Sequence, residues 1–329
     1  MKPITMFLEA AKLARKQSYK NLTLFPLLAP ETAAPDYLTL AQALERNLVH
    51  ITELDQAGSV PELRLINKGK QKILIIEGEE LVGAKQNRIV NATFLVAANS
   101  ETVIPVSCVE QGRWSYISHR FASGEKMMHA SLRRSQQSRV RENLKQGRGY
   151  LSDQGEIWND ISAKLDRMKV RAPTRAMADA YDSYKDNLSD YMDNFQLIEC
   201  QIGAVFAIDG NVLGLECFGF SDTFDRFFEK IVKSYALDAL DSRKSAKTIP
   251  TPPQAARRFI TSAANGTMEH HSTLGLGEAV TVQSRVVSGA VLIEKSQVIH
   301  LSAFRKVRGH SSPGVGYRRY SERYNRRRN

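Results

Sequence analysis

The sequence has few cysteines and no long apolar run, and both shortages restrict what the protein can be. Its three cysteines, Cys108, Cys200 and Cys217, form no C-x-x-C pair. That number and spacing exclude a disulfide scaffold and a thiolate zinc site, and they favour a reducing compartment, which we expect to be the cytoplasm. No stretch approaches the roughly 20 apolar residues that cross a bilayer, so we expect no membrane partner.

Common nucleotide and metal motifs are also absent. There is no G-x-x-x-x-G-K-[ST] loop, and the GLG at 275–277 lacks the third glycine of a dinucleotide-binding fingerprint. The seven histidines include one adjacent pair, His270 and His271, but no cluster with ligand spacing. We therefore expect no metal site, and the sequence identifies no cofactor.

Positive charge is concentrated at the C-terminus. The 329 residues carry a formal net charge of +11. Nine basic residues and one acid fall within 305–329, which contributes +8 and leaves +3 for the remainder. This tail mixes Gly, Ser, Arg and Tyr without periodicity, so we expect it to be disordered. Two roles remain open for it, which are weak non-specific binding of nucleic acid and improved solubility.

Hydrophobic periodicity predicts an α+β fold with a mixed or mostly antiparallel sheet, forming one domain over residues 1–304. A helical insertion is expected at about 124–192, and an Asp-Gly pair at 209–210 predicts a hairpin. A Pro-rich linker is expected at 242–253. The predicted helices cover 3–17, 38–47, 129–146, 155–168, 174–189 and 222–241. The predicted strands cover 22–28, 49–54, 62–67, 72–78, 88–97, 102–110, 203–208, 211–219, 279–286, 290–295 and 298–304.

The densest polar segment of the chain runs from Glu77 to Trp114. Its first part, 77–88, contains three acids around Gly78 and a run of polar residues after Gly83, which predicts a loop between two strands. Its second part follows the predicted strand that ends at Glu110. Because both parts lie at strand ends, we expect them to face one concavity and to form a binding or catalytic site.

The same segment carries a family resemblance. EGEELVGAKQNRIVN followed by IPVSCVEQGRW is similar to a little-characterised prokaryotic family named for its gene association with ADP-ribosylglycohydrolases and rhodanese-phosphatases. YLTLAQAL at 37–44, ITELDQAGSVPEL at 51–63 and GAVFAIDGNVLGLECFG at 203–219 also match, so the resemblance covers about 20–305. It implies a role in NAD or ADP-ribose metabolism and supplies no established catalytic residues.

The chemistry of the segment suits a nucleotide or ADP-ribose-type ligand. Arg and Lys side chains bind pyrophosphate, an aromatic ring stacks on adenine or nicotinamide, and carboxylates accept hydrogen bonds from a ribose diol. Two carboxylates in different environments also serve the hydrolysis of glycosidic bonds. The catalytic candidates are Glu79, Glu80 and Glu110. The ligand-binding candidates are Lys85, Gln86, Asn87, Arg88, Arg113, Trp114 and Glu216.

Each candidate has a structural alternative. The charges at 77–88 could form a solvated hairpin tip, and Trp114 could belong to the core. Cys108 is more typical of a small buried strand residue than of a nucleophile. Glu199 and Glu216, on apolar strands, could form internal salt bridges. The cationic face of the helix at 129–146 could be solvated; it comprises Arg133, Arg134, Arg139, Arg141 and Lys145. For the whole protein, the alternatives to an enzyme are a non-catalytic ligand-binding module and a nucleic-acid-associated accessory protein.

Overall fold

A computed structural model describes residues 3–30, 34–54, 61–242 and 249–307. These residues form eight α-helices and eighteen strands in three sheets, and every strand pair except one is antiparallel, which confirms the α+β prediction. Most of the predicted tail, from 308 onward, and positions 243–248 of the predicted linker lie outside the described residues.

The elements are numbered in chain order. The helices are α1 (Pro3–Ala10), α2 (Leu40–Glu45), α3 (Ala130–Lys145), α4 (Gln154–Arg167), α5 (Met177–Ser183), α6 (Lys185–Met192), α7 (Ser221–Ser242) and α8 (Pro253–Ala264). The strands are β1 (Lys12–Leu13), β2 (Gln17–Tyr19), β3 (Leu22–Leu28), β4 (Tyr37–Thr39), β5 (Val49–Glu53), β6 (Glu62–Asn67), β7 (Lys72–Ile75), β8 (Glu79–Gly83), β9 (Arg88–Val90), β10 (Phe94–Val96), β11 (Ser100–Cys108), β12 (Phe121–Met127), β13 (Gln201–Ile208), β14 (Asn211–Phe218), β15 (Thr267–Ser272), β16 (Glu278–Gln283), β17 (Val287–Glu294) and β18 (Gln297–Arg305).

The largest sheet has nine strands and is covered by helices on both faces. Its order is β1-β3-β13-β14-β18-β17-β16-β15, with β2 paired to β3. Successive strand residues point to opposite faces, so Phe206 joins the buried cluster that contains α7, whereas Val205 joins the cluster that contains α1 and α8. Burial on both sides explains why β13 has no polar side chain after Gln201 rather than an alternating pattern.

The candidate segment belongs to the six-stranded sheet, whose order is β12-β8-β9-β11-β6-β5. The two edge strands of this sheet, β12 and β5, approach each other. Arg120 directly precedes β12, and its Nη1 lies 3.1 Å from Nε2 of His50 on β5. A small sheet of order β10-β7-β4 packs with it around a shared apolar cluster. Its β4–β7 pair is the parallel exception.

Several predicted elements differ from the structure. The first helix ends at Ala10 rather than at residue 17, and β1 and β2 follow it. The predicted strand 88–97 is two strands, β9 and β10, which lie in different sheets. The predicted helix 174–189 is two helices, α5 and α6, and the sequence did not predict α8 or β15. The hairpin β13–β14 and the helix α7 agree with the prediction.

Candidate functional site

The β8–β9 turn and the end of β11 lie side by side. Strand β11 pairs with β9 so that Cys108 is opposite Arg88, which brings the residues after Cys108 against the turn at 84–87. Two hydrogen bonds connect them directly, from Gln86 Nε2 to the carbonyl oxygen of Glu110 at 2.9 Å and from the amide of Asn87 to Glu110 Oε2 at 3.4 Å. The two parts of the predicted site therefore meet, although 79–83 is strand β8 and not the loop that the sequence predicted.

Arg113 holds this junction together. Its Nε and Nη2 approach Glu110 Oε2 at 2.8 and 2.6 Å, and Nη2 also donates to Asn87 Oδ1 at 2.9 Å. Its Nη1 donates to the carbonyl oxygens of Ala84 and Ser115 at 2.9 and 3.1 Å. All three guanidinium nitrogens therefore donate hydrogen bonds within the protein. These contacts show that Arg113 positions the loop.

Arg88 is buried beneath the junction. Its side chain is fully buried, with Nη1 at 2.9 Å from Gln86 Oε1 and 2.7 Å from Cys108 Sγ. Its Nη2 lies 3.5 Å from Oε1 of Glu53, which is also buried. Burial raises the pKa of Cys108 to about 12 despite the Arg88 charge, so the thiol is not a nucleophile near neutral pH and the structural alternative for Cys108 is confirmed.

Two exposed aromatic side chains lie around Lys85, and one of them, Trp114, also lies near Arg88. Trp114 is 48% exposed and Tyr116 is 47% exposed, so the alternative that places Trp114 in the core is wrong. The Lys85 ammonium lies 5.2 Å from each ring centroid, and the Arg88 guanidinium lies 5.7 Å from that of Trp114. We call Lys85, Trp114 and Tyr116 the aromatic surface. Tyr116 is not among the residues predicted from the sequence, although the W-S-Y spacing places it on the same loop as Trp114.

Glu80 lies on the junction side of β8. A side-chain hydrogen bond from Asn87 and the charge of Glu110 both act on its carboxyl. Burial raises the pKa of Glu80 to about 7, and Lys126 and Asn87 reduce that rise. Its Oε1 has no hydrogen-bond partner among the described residues. Gly124 covers it closely, since a Cβ at that position would lie 2.8 Å from Glu80 Oε2.

The structure does not bring Glu79 to the junction. Successive side chains alternate along β8, so Glu79 points away from Glu80. Its Oε2 accepts the amide of Ile76 at 2.8 Å, and Oε1 has no partner among the described residues. Burial raises the pKa of Glu79 to about 7, with Lys230 acting in the opposite direction.

Glu216 lies apart from the junction, in the core. It is fully buried and its Oε1 pairs with Arg133 Nη1 at 2.8 Å and accepts from Tyr235 Oη at 3.0 Å. Although burial acts to raise its pKa, Arg133 and His300 together hold the pKa of Glu216 below its ordinary value. The internal salt bridge is confirmed for Glu216. Arg133 itself is buried, so the predicted solvated face is wrong at this residue, and Glu199 is exposed outside the strands.

The third acid around Gly78, Glu77, belongs to the same interior. Its Oε1 accepts from Ser302 Oγ at 2.5 Å and from Gln137 Nε2 at 3.2 Å. Burial raises the pKa of Glu77, and the His300 charge and the Ser302 hydroxyl oppose that rise. Together with Arg133 and Glu216, Glu77 connects α3 to the central sheet. A structural role accounts for these contacts.

The described part of the chain contains neither a metal-binding cluster nor a membrane-spanning helix. Among the described residues, no group of three or more His, Cys, Asp or Glu side chains is placed to hold a metal ion. No helix within 3–30, 34–54, 61–242 and 249–307 is both long enough and apolar enough to cross a membrane.

Comparison with known proteins places the chain in a family. No curated protein and no solved structure matches it. One family description does match, and it covers residues 10–304, which include every element from β1 to β18 except the last residue of β18. The chain belongs to the ARG and Rhodanese-Phosphatase-superfamily-associated Protein domain family.

Proposed function

We propose that the protein binds ADP-ribose, NAD or a related nucleotide, with the ligand's ring stacked on the aromatic surface. The observation that carries this proposal is the exposure of Trp114 and Tyr116 around one ammonium group. Exposed aromatic rings beside cations are the usual means by which proteins bind nucleotide bases. The family name associates this domain with ARG proteins. Our interpretation of ARG as ADP-ribosylglycohydrolase adds support to the proposal.

The loop that carries these rings is fixed in advance of binding. Arg113 joins the carbonyl oxygen of Ser115, between the two rings, to Glu110 and to the turn at 84–87. Rings that are already ordered lose little conformational entropy when a ligand stacks on them. Lys85 supplies a positive charge at the same surface, which suits a phosphate next to the stacked ring.

Tryptophan fluorescence provides a direct test, because the chain has two tryptophans. The variant Trp158→Phe leaves Trp114 as the reporter, and Trp114→Phe leaves Trp158, which lies on α4. We expect ADP-ribose or NAD to quench Trp158→Phe in a saturable manner and to leave Trp114→Phe unchanged. Equal quenching of both variants, or of neither at millimolar ligand, would refute the proposed surface.

Calorimetry gives the magnitude. Stacking of a base on an aromatic side chain contributes about 1–3 kcal/mol, so Trp114→Ala should weaken binding by roughly 5- to 150-fold. Met6→Ala is the matched control, because Met6 on α1 is also about half exposed, at 54%, and takes no part in the aromatic surface. Ribose 5-phosphate, which has no ring to stack, should bind far more weakly than ADP-ribose.

A second candidate function, hydrolysis or transfer at a glycosidic or phosphoryl bond, is favoured by Glu80. A carboxyl with a pKa of about 7 beside an ion-paired carboxylate, Glu110, resembles an acid–base pair. Because Gly124 covers Glu80, a substrate would have to displace this part of β12. Glu80→Gln should then abolish turnover and retain ligand binding, whereas equal loss of both would contradict a catalytic role.

Three free cysteines are consistent with the cytoplasmic site of action that we propose.

A further inference from the structure

A cleft lined with charged side chains lies away from the aromatic surface. It has a volume of about 270 Å³ and is bordered by β12, α5, α6 and α7. Its base is apolar, formed by Met127, Leu188 and Tyr181, and the Tyr181 hydroxyl donates to the Met127 carbonyl oxygen at 2.6 Å. Four lysines face this cavity from three elements, and we call the cavity the lysine cleft. These lysines are Lys126, Lys185, Lys230 and Lys233.

The acids of the cleft neutralise only part of this charge. Lys126 pairs with Asp182 at 2.8 Å, and Lys233 pairs with Glu229. Lys185 and Lys230 form no ion pair with any described residue, and the third lining acid, Glu125, is exposed. Two ammonium groups thus face the cleft without a direct ion pair, although the charge of Lys230 also acts on the buried Glu79.

Lys230 is also held in position. Its Nζ donates to the carbonyl oxygen of Gly124 at 2.7 Å, where β12 is irregular, and lies 3.5 Å from Ser123 Oγ. An ammonium group has three N–H donors, so Lys230 keeps one donor for a ligand while Gly124 and Ser123 fix its location. A fixed cation costs less entropy on binding than a freely rotating one.

We propose that the lysine cleft is an anion site for a diphosphate group, either as free pyrophosphate or as part of a nucleoside diphosphate. A diphosphate carries enough charge and enough acceptor oxygens to bridge Lys185 and Lys230, and the apolar base excludes water on one side. This site rests on different residues from the aromatic surface. The two proposals can therefore fail separately.

Calorimetry with inorganic pyrophosphate at low salt tests the site in the full-length protein. We expect saturable binding that weakens as salt rises, and about tenfold or greater weakening in Lys185→Met and in Lys230→Met. Lys185 is exposed, so its variant should fold normally even if the Lys230 variant is destabilised. Lys70→Met, an exposed lysine on the loop between β6 and β7, is the matched control and should bind as the unmodified protein does.

Further ligands distinguish the sources of the diphosphate. In Trp114→Ala, which removes stacking on the aromatic surface, equal affinity for pyrophosphate and ADP would assign the cleft to the diphosphate alone, whereas tighter binding of ADP would add a contact to the nucleoside. Trp114→Ala should retain pyrophosphate binding, because that residue lies outside the cleft. Absence of pyrophosphate binding, or binding unchanged in both lysine variants, would overturn the proposal, even if ADP-ribose still quenches Trp114.

Discussion

All three guanidinium nitrogens of Arg113 donate hydrogen bonds within the protein, and this decides what its removal does. The sequence suggests a diphosphate as its partner, but in the structure the side chain contacts Glu110, Asn87 and two carbonyl oxygens. Both members of the Arg113–Glu110 pair are about nine-tenths buried. Loss of the cation leaves a carboxylate without its counter-charge in a largely buried position, which is costly.

We therefore expect Arg113→Ala to lower the free energy of unfolding by about 3 kcal/mol. Urea denaturation measures this change. The matched control is Arg64→Ala, because Arg64 pairs with Glu101 on the surface with both side chains about half exposed, and such a pair contributes about 0–1 kcal/mol. A stable Arg113→Ala protein that has lost only ligand affinity would instead support the diphosphate role.

Glu80 gives a prediction for pH. Its pKa is raised from 4.5 to about 7 in the folded protein. Between pH 4.5 and 7 the carboxyl is ionised in the unfolded chain and protonated in the folded chain. The contribution of Glu80 to the free energy of unfolding therefore falls as pH rises, and it is fully lost above about pH 7. The stability difference between the unmodified protein and Glu80→Gln should fall by about 1.4 kcal/mol per pH unit within this window.

Denaturation of both proteins at intervals from pH 4.5 to 8 measures that difference. Taking the difference removes the contributions of Glu79, whose pKa is raised in the same way, and of His129, whose pKa is lowered by burial. A difference that stays constant or increases with pH would show that Glu80 is ionised throughout the window.

At the scale of elements, one buried cluster joins three helices. Asp238 on α7 accepts from Lys164 Nζ on α4 at 2.6 Å and from the amide and hydroxyl of Ser131 on α3 at 2.6 and 2.7 Å. His129 Nδ1 lies 3.2 Å from the same carboxylate. Burial acts to raise the pKa of Asp238, but Lys164 and His129 hold it well below its usual range, so the carboxylate stays charged.

We expect Lys164→Met to destabilise the protein by about 3–5 kcal/mol, because it removes the main counter-charge of a buried carboxylate. Lys145→Met on α3 is the control, since Lys145 forms an exposed pair with Glu269 and should contribute less than about 1 kcal/mol. Thermal and urea unfolding report both variants. Comparable stability of the two variants would mean that the helices dock mainly through their apolar faces.

The sequence predicts an element correctly where the residues of that element determine it, and fails where distant contacts do. The apolar stripe of α7 and the Asp-Gly turn before β14 are local, and both predictions hold. The break between β9 and β10 is not local, because Asn91 Oδ1 accepts from Ser107 and from Gln136 on α3. Helix α8 was missed because its prolines suggested a linker, although proline suits the first turn of a helix.

The candidate site likewise has features that local sequence determines and features that distant contacts determine. The sequence places the polar residues of the β8–β9 turn and the end of β11 at strand ends, and the structure brings these two segments together. It does not predict which charges are buried, because burial is set by distant partners, such as Glu53 for Arg88 and Arg133 for Glu216. Exposure of Trp114 likewise depends on the loop that Arg113 holds.

At the scale of the whole molecule, the charge separates into a nearly balanced folded part and a basic C-terminal segment. The structure moves the boundary between them. Arg305 pairs with Val287 within the central sheet, and Lys306 donates from its amide to the carbonyl oxygen of Val286 and from Nζ to that of Ser284. The segment that can be removed without breaking these contacts therefore begins after Val307.

We expect deletion of residues 308–329 to remove salt-sensitive binding to single-stranded RNA or DNA and to leave the melting temperature and nucleotide binding nearly unchanged. The deleted segment holds seven basic residues, one acid and the tyrosines Tyr317, Tyr320 and Tyr324, a composition that binds phosphate backbones without reading sequence. Filter binding at low and moderate salt measures the effect.

A second deletion, of residues 305–329, is the control for the boundary. It should lower the melting temperature, because it also removes the sheet contacts of Arg305 and Lys306. If the full-length protein shows no salt-dependent binding, the nucleic-acid role is refuted, and solubility is the remaining role for this charge.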